Sequence, residues 1–237
     1  MSLPKIMYPQ FDILVPSLNK KMKFRQFLVR EEKILLVAKT SNEDNDILTA
    51  IKQVVNNCSM DPTFDVDTIS VFDLEYLFLK IRSLSVSNVI KLSYKDYEDE
   101  KLYEFEINLD EIVLEMPKDV SNKISIIGKN GIVMRYPPAS IYSDKEFLNA
   151  TPEDAAIELI VRCIDKIYDE ESVYDPKNFS RQELLDFINQ IDIKTFEKIN
   201  EFLATAPKLK HTITYKNSFG NDRKIELSSL NDFFMLR

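Results

Sequence analysis

Residues 70–94 read SVFDLEYLFLKIRSLSVSNVIKLSY, and their period changes halfway along. From 72 to 84 the apolar residues Phe72, Leu74, Tyr76, Leu77, Phe78, Leu79, Ile81 and Leu84 cover most of a helical wheel. That pattern predicts a helix buried on more than one side. Ser70 stands at the N-cap position, and Asp73 three residues on makes an acidic version of the capping box. After Ser85-Val86-Ser87 the apolar positions become Val89, Ile90, Leu92 and Tyr94, the pattern of a strand. A buried helix feeding directly into a strand points to an α+β fold, with small antiparallel sheets and hairpins packed against helices.

Upstream, 11–15, 21–29 and 33–38 read as three strands of an antiparallel meander. A helix over 46–57 follows, with Ile47, Leu48, Ile51, Val54 and Val55 on one stripe. Downstream, 102–109 returns as the partner of the 89–94 strand. The stretch 117–122 is the best place for a joint, dividing the chain into an N-terminal half, 1–116, and a C-terminal half, 117–237. In the second half a hairpin spans Gly128-Lys129-Asn130-Gly131. Thr151-Pro152-Glu153-Asp154 starts a helix expected to run to about Tyr168. Ser180 with Glu183 caps another helix, and Asp192 opens one that Pro207 stops. A last hairpin joins 210–215 to 223–227. The two hairpins at 90–110 and 213–232 echo each other, as two related halves or as a chance likeness.

Composition narrows the function. The 237 residues carry a net charge of −8, which repels phosphate backbones and argues against nucleic acid or anionic membrane as the main partner. No apolar run is long enough to span a bilayer, and the first residues lack the build of a signal peptide, so a reducing, cytoplasmic setting is expected. Only three glycines occur, so neither a phosphate-cradling loop nor a dinucleotide turn can be assembled, and no cofactor is expected. Cys58 and Cys163 are isolated and read as buried thiols. His211, the single histidine, has no nucleophile nearby in sequence and reads as an edge residue.

Three segments taken in order carry a likeness. They are Phe24-Arg25-Gln26-Phe27-Leu28-Val29-Arg30-Glu31-Glu32-Lys33 with Leu35-Leu36; 72–86; and Glu183-Leu184-Leu185-Asp186-Phe187 through Pro207 to the final hairpin and Asp232-Phe233-Phe234. Together they resemble the baseplate hub assembly protein family of T-even type contractile-tailed bacteriophages. The resemblance implies a non-enzymatic role in assembling the central hub, as chaperone or minor structural subunit, with other hub and tail proteins as partners. It also implies the host cytoplasm during assembly and the virion tail baseplate as locations. Some relatives carry paired cysteines in the hairpins. Here the comparable turns hold Tyr94-Lys95-Asp96-Tyr97 and Tyr215-Lys216-Asn217-Ser218, so the soft ligands of a metal site are missing and no metal is expected. The alternatives are a cellular adaptor and, ranked last, a carboxylate-dependent hydrolase.

Several residues stand out. Asp73, Glu75, Lys80 and Arg82 punctuate the central helix and are expected to pair or snorkel at the rim of the core. Asp73, Arg82 and Ser85 are expected to hold the helix-to-strand turn. Two acidic runs, 96–100 and 165–175, read as solvated surface. In the first, Glu98, Asp99 and Glu100 are candidates for docking a basic partner. Phe233 and Phe234 either fold back onto the last hairpin or dock into a partner.

Overall fold

The computed structural model describes residues 6–41, 44–230 and 232. In chain order the elements are β1 (Gln10–Val15), β2 (Lys20–Arg25), α1 (Val29–Ser41), α2 (Asp44–Cys58), α3 (Val71–Ser85), β3 (Val89–Lys95), β4 (Leu102–Asn108) and β5 (Val113–Glu115). There follow β6 (Lys123–Ser125), β7 (Gly131–Met134), α4 (Lys145–Leu148), α5 (Pro152–Arg162), β8 (Ile164–Tyr168) and β9 (Val173–Tyr174). The chain closes with α6 (Arg181–Ile188), α7 (Ile193–Ala204), β10 (Lys208–Lys216) and β11 (Asp222–Leu227). Helices and small antiparallel sheets make this the α+β fold that the central stretch announces.

The chain forms two compact units, Met1–Glu115 with Pro207–Arg237, and Met116–Ala206. Their division at 115/116 lies beside the expected joint. The final hairpin, however, groups with the first 115 residues, whereas the sequence reading places it in the C-terminal half. Its strand β10 pairs antiparallel with β5, so backbone hydrogen bonding joins the two ends of this unit.

In the first unit α3 is the centre. Phe72, Asp73, Leu74, Leu77, Phe78, Leu79 and Ile81 are all buried. Each fully buried Leu or Phe stabilises the fold by roughly 1.5–3 kcal/mol relative to exposure. The helix packs on α2, on β1 and on β10. Asp73 does not sit at a rim. It is completely buried, and burial raises its pKa. One carboxylate oxygen accepts the Ser70 N–H at 3.1 Å, as a capping box requires, and the other accepts the Ser17 N–H at 2.9 Å. Asp73 therefore fixes the start of α3 to the turn between β1 and β2, not the helix-to-strand turn. Ser85, at the other end, accepts the Phe27 N–H at 2.7 Å and donates to the Ile81 carbonyl. It ties the last turn of α3 to the segment after β2. Arg82 is half-buried, and burial lowers its pKa, with the charge of Glu32 on α1 acting in the opposite sense.

The expected three-strand meander is a two-strand hairpin. Residues 33–38, read as its third strand, lie in α1. What makes them helical is Glu31, fully buried beneath the first turn. Its carboxylate accepts the Leu28 N–H at 2.9 Å, the glutamate half of a capping box. It also pairs with the equally buried Arg25 at 2.9 Å and with Arg30 at 2.7 Å. Arg25 further donates to the carbonyls of Gln26 and Asn57 and lies 3.7 Å from the Cys58 sulfur. This cluster locks β2, α1 and the end of α2 together. Burial alone would raise the Glu31 pKa, but the bonds from Arg25, Arg30 and Leu28 outweigh it and hold it below the usual range.

The second unit is a four-strand antiparallel sheet in the order β6-β7-β8-β9, packed with α5, α6 and α7. Ile132, Met134, Ile160, Cys163 and Ile199 are completely or almost completely buried. Gly131 is needed where β7 starts, because a Cβ there would overlap the Tyr168 hydroxyl and the Ile124 carbonyl oxygen. The helix expected to reach Tyr168 stops at Arg162, and Ile164–Tyr168 is strand β8, paired with β7. Arg162 is the last residue of α5. It bonds Glu158 one turn back and Asp144 at 2.6 Å, and Arg181 reaches the same buried Glu158, so α4, α5 and α6 are tied by charge.

Candidate docking site at the paired hairpin turns

The hairpins β3–β4 and β10–β11, the two that echo each other in sequence, pack together within the first unit. Each alternates. Ile90, Leu92, Tyr94, Tyr103, Phe105 and Ile107 line one face of β3–β4, while Lys91, Ser93, Lys95, Leu102, Glu104 and Glu106 line the other, and β10–β11 repeats the pattern. Aromatic rings join the apolar faces. Tyr215 of β10 lies 4.9 Å from the ring of Tyr103, 5.1 Å from Phe105 and 6.5 Å from Tyr94.

The turns are joined as well. Asp96 is completely buried and accepts the Tyr215 hydroxyl at 2.5 Å and Arg223 Nε at 3.1 Å. Glu98 accepts the side-chain amides of Asn217 and Asn221 at 2.5 and 2.8 Å. Asp99 accepts the Ser218 N–H at 2.9 Å and its hydroxyl at 2.8 Å, with the Tyr103 hydroxyl at 2.6 Å. Three of these pairs, 96 with 215, 98 with 217 and 99 with 218, share a separation of 119 residues. The two turns therefore run alongside each other in one register. Glu100 makes the left-handed bend of the first turn, at φ 57°, and stays exposed.

Electrostatics follow from these bonds. The Tyr215 hydroxyl bond holds the Asp96 carboxyl low against its burial, with help from the Glu98 N–H and Arg223. Burial works against Asp99 too, but the bonds from Tyr103, Lys101 and Ser218 pull it well below the ordinary carboxylate range. The phenols move oppositely: Tyr215 is pushed up to about 12 by burial and by the Asp96 carboxylate. Near neutral pH these carboxylates are bound and ionised and these phenols protonated, so the cluster serves as a clamp rather than as an acid or base. Asp99 therefore contributes stability above the unfolded carboxylate range, lost only when pH falls through its depressed folded value. Asp99→Ala is expected to speed hydrogen exchange of the Ser218 amide roughly tenfold or more, leaving the β3–β4 ladder protected. Equal Ser218 exchange in variant and wild type would remove that bond from the account.

What the clamp leaves outside is aromatic. Tyr97, between Asp96 and Glu98, is 86% exposed, and Phe219, next to Ser218, is 66% exposed. Large rings held out on pinned turns have the character of interface anchors, which bury much area at little entropic cost. The sequence reading placed docking on the charges of Glu98, Asp99 and Glu100. Of these, the structure spends Glu98 and Asp99 on internal bonds. Phe233 and Phe234 lie outside the described residues. Tyr97 and Phe219 were missed, although their signal was available: each is the one large aromatic inside a polar turn.

Other candidates resolve as structure. His211 is half-buried in β10, opposite Leu227. Cys58 and Cys163 are buried, and burial pushes both thiols up to about 12. In the second acidic run Asp169 accepts the N–H groups of Glu171 and Ser172 and the Tyr174 hydroxyl, closing the β8–β9 turn. Among the described residues no three metal-binding side chains come together, and no helix is long and apolar enough to cross a membrane.

Compared with known proteins, the chain matches, over residues 8–235, a family model described as T4 bacteriophage base plate protein. No curated protein and no solved structure matches it.

Proposed function

The chain belongs to the T4 bacteriophage base plate protein family, and from that premise we propose that it is a non-enzymatic assembly protein of the baseplate's central hub. It acts through contacts with other hub and tail proteins, either as a chaperone that leaves or as a minor subunit that stays. The observation that carries this reading is the pair of clamped turns holding Tyr97 and Phe219 in solvent. A catalytic site would keep a titratable group poised near neutral pH and open to substrate. The acidic cluster at 96–99 does the reverse, since its carboxylates are consumed in fixing the turns. Burying an exposed ring of this size contributes roughly 1.5–3 kcal/mol, enough for two such rings to anchor a specific contact.

The test is composition. A tagged copy of the full chain is followed through infection, and hub intermediates and purified particles are analysed by mass spectrometry. Co-sedimentation with hub intermediates is the expected result. Presence in finished particles then makes it a subunit, and absence makes it a chaperone. A chain found in neither hub intermediates nor particles would overturn the reading.

A further inference from the structure

Helix α1 has a buried side and, opposite it, a side that carries exposed aliphatic residues. One side, centred on Glu31 and Ala38, faces inward, and both residues are buried. The other carries Val29, Leu36 and Val37, which are 74%, 56% and 70% exposed, together with Lys33 and Thr40. On a helical wheel these five positions span about 100°. Here one side is left in solvent, and three large aliphatic residues on one helical face form the kind of patch that marks an interaction surface.

Next to that face, α1 and α2 enclose a groove of about 430 Å³. Its floor includes Ala38 and Ala50, both small and buried, so another helix can approach closely. Val37 stands on its rim, with Lys33 from α1 and Asp46 from α2 also lining it. A single patch thus carries an apolar knob, a small-residue hole, a cation and an anion. That inventory is complementary to itself. A two-fold interface brings each element of a patch onto its counterpart from the same patch, so it demands this property. We propose that the outer face of α1 and the α1–α2 groove form a homodimer interface: Val37 of each copy seats in the groove of the other, and Lys33 of each faces Asp46 of the other. The inference is independent of the reading above, because it uses none of the hairpin-turn residues.

Sedimentation equilibrium of the full chain between about 1 and 100 µM tests it. The expected mass at the upper end is twice the 27.7 kDa of the chain. Val37→Glu is expected to weaken the dimer at least about tenfold with unchanged far-UV circular dichroism, because the residue is exposed in the monomer. Lys33→Asp and Asp46→Lys should each weaken association, and the double exchange should restore it. A monomer at every concentration would overturn the proposal, as would a dimer indifferent to Val37→Glu. Should Val37→Glu disturb the helix, the charge exchange decides: restoration supports the interface and its failure overturns it.

Discussion

Replacing Glu31 with alanine is expected to cost about 3–5 kcal/mol of stability, the usual penalty for leaving one member of a buried ion pair alone. Glu31 is completely inaccessible and Arg25 nearly so. Three donors converge on the carboxylate: the Arg25 guanidinium, Arg30 Nε and the Leu28 N–H. Removing the carboxylate leaves a buried guanidinium without its counter-ion and strips the first turn of α1 of its cap. Arg25→Ala should cost a similar amount, because it removes the bonds to Asn57 and Gln26 as well. The double variant should lose less than the sum of the two, since each single change already breaks the shared pair. Denaturant titration of the three variants against wild type measures this. A loss below about 1 kcal/mol for Glu31→Ala would mean that the cluster is not what joins β2, α1 and α2.

The pH dependence of stability should carry the mark of Glu75. This residue sits on α3 among buried neighbours, and burial pushes its pKa from 4.5 up to about 7, against a hydrogen bond from the Leu230 N–H and with added repulsion from Asp232. An acid whose folded pKa is raised binds its proton more tightly in the native state. Its penalty is therefore absent below the unfolded value, grows as pH rises towards the folded value, and is constant above it. From pH 4.5 to 7 the wild type should lose roughly 2–4 kcal/mol from this group. Glu75→Gln should flatten that slope and be the more stable protein at pH 8 by a similar amount. The difference between the two proteins across this window is the quantity to measure, because Asp99, Asp96 and Glu31 act oppositely and at lower pH. Parallel profiles for the two proteins would show that Glu75 is solvated.

The central helix and the strand after it were legible because the period changes cleanly from 3.6 to 2 within one stretch. Helix α1 was not. Its N-cap is Leu28 rather than Ser, Thr, Asp or Asn, its inward side is built on a charge, and its outward side is aliphatic, so KILLVA resembles a strand. The end of α5 was hidden for a related reason. Ile160, Ile164 and Ile167 keep a helical spacing across the break at Cys163, although the last two belong to a strand. At the candidate site the acidic run at 96–100 was visible, but its purpose was not. Asp96 and Glu98 spend their carboxylates on Tyr215, Asn217, Asn221 and Arg223, 119 or more residues away, and only the fold brings these together. Sequence spacing shows which residues share a face of one element. It does not reveal which distant turn that face meets.

Baseplate assembly by the Tyr97→Ala/Phe219→Ala double variant tests the docking role of the turns most directly. Both rings are largely exposed, so truncating them should leave the melting temperature within a few degrees of wild type, about the range of surface substitutions. Cells infected with phage lacking the native protein, and supplied with the variant, should accumulate hub components that fail to assemble, as seen by sedimentation and electron microscopy. Wild-type yields of complete baseplates from that variant would contradict the account.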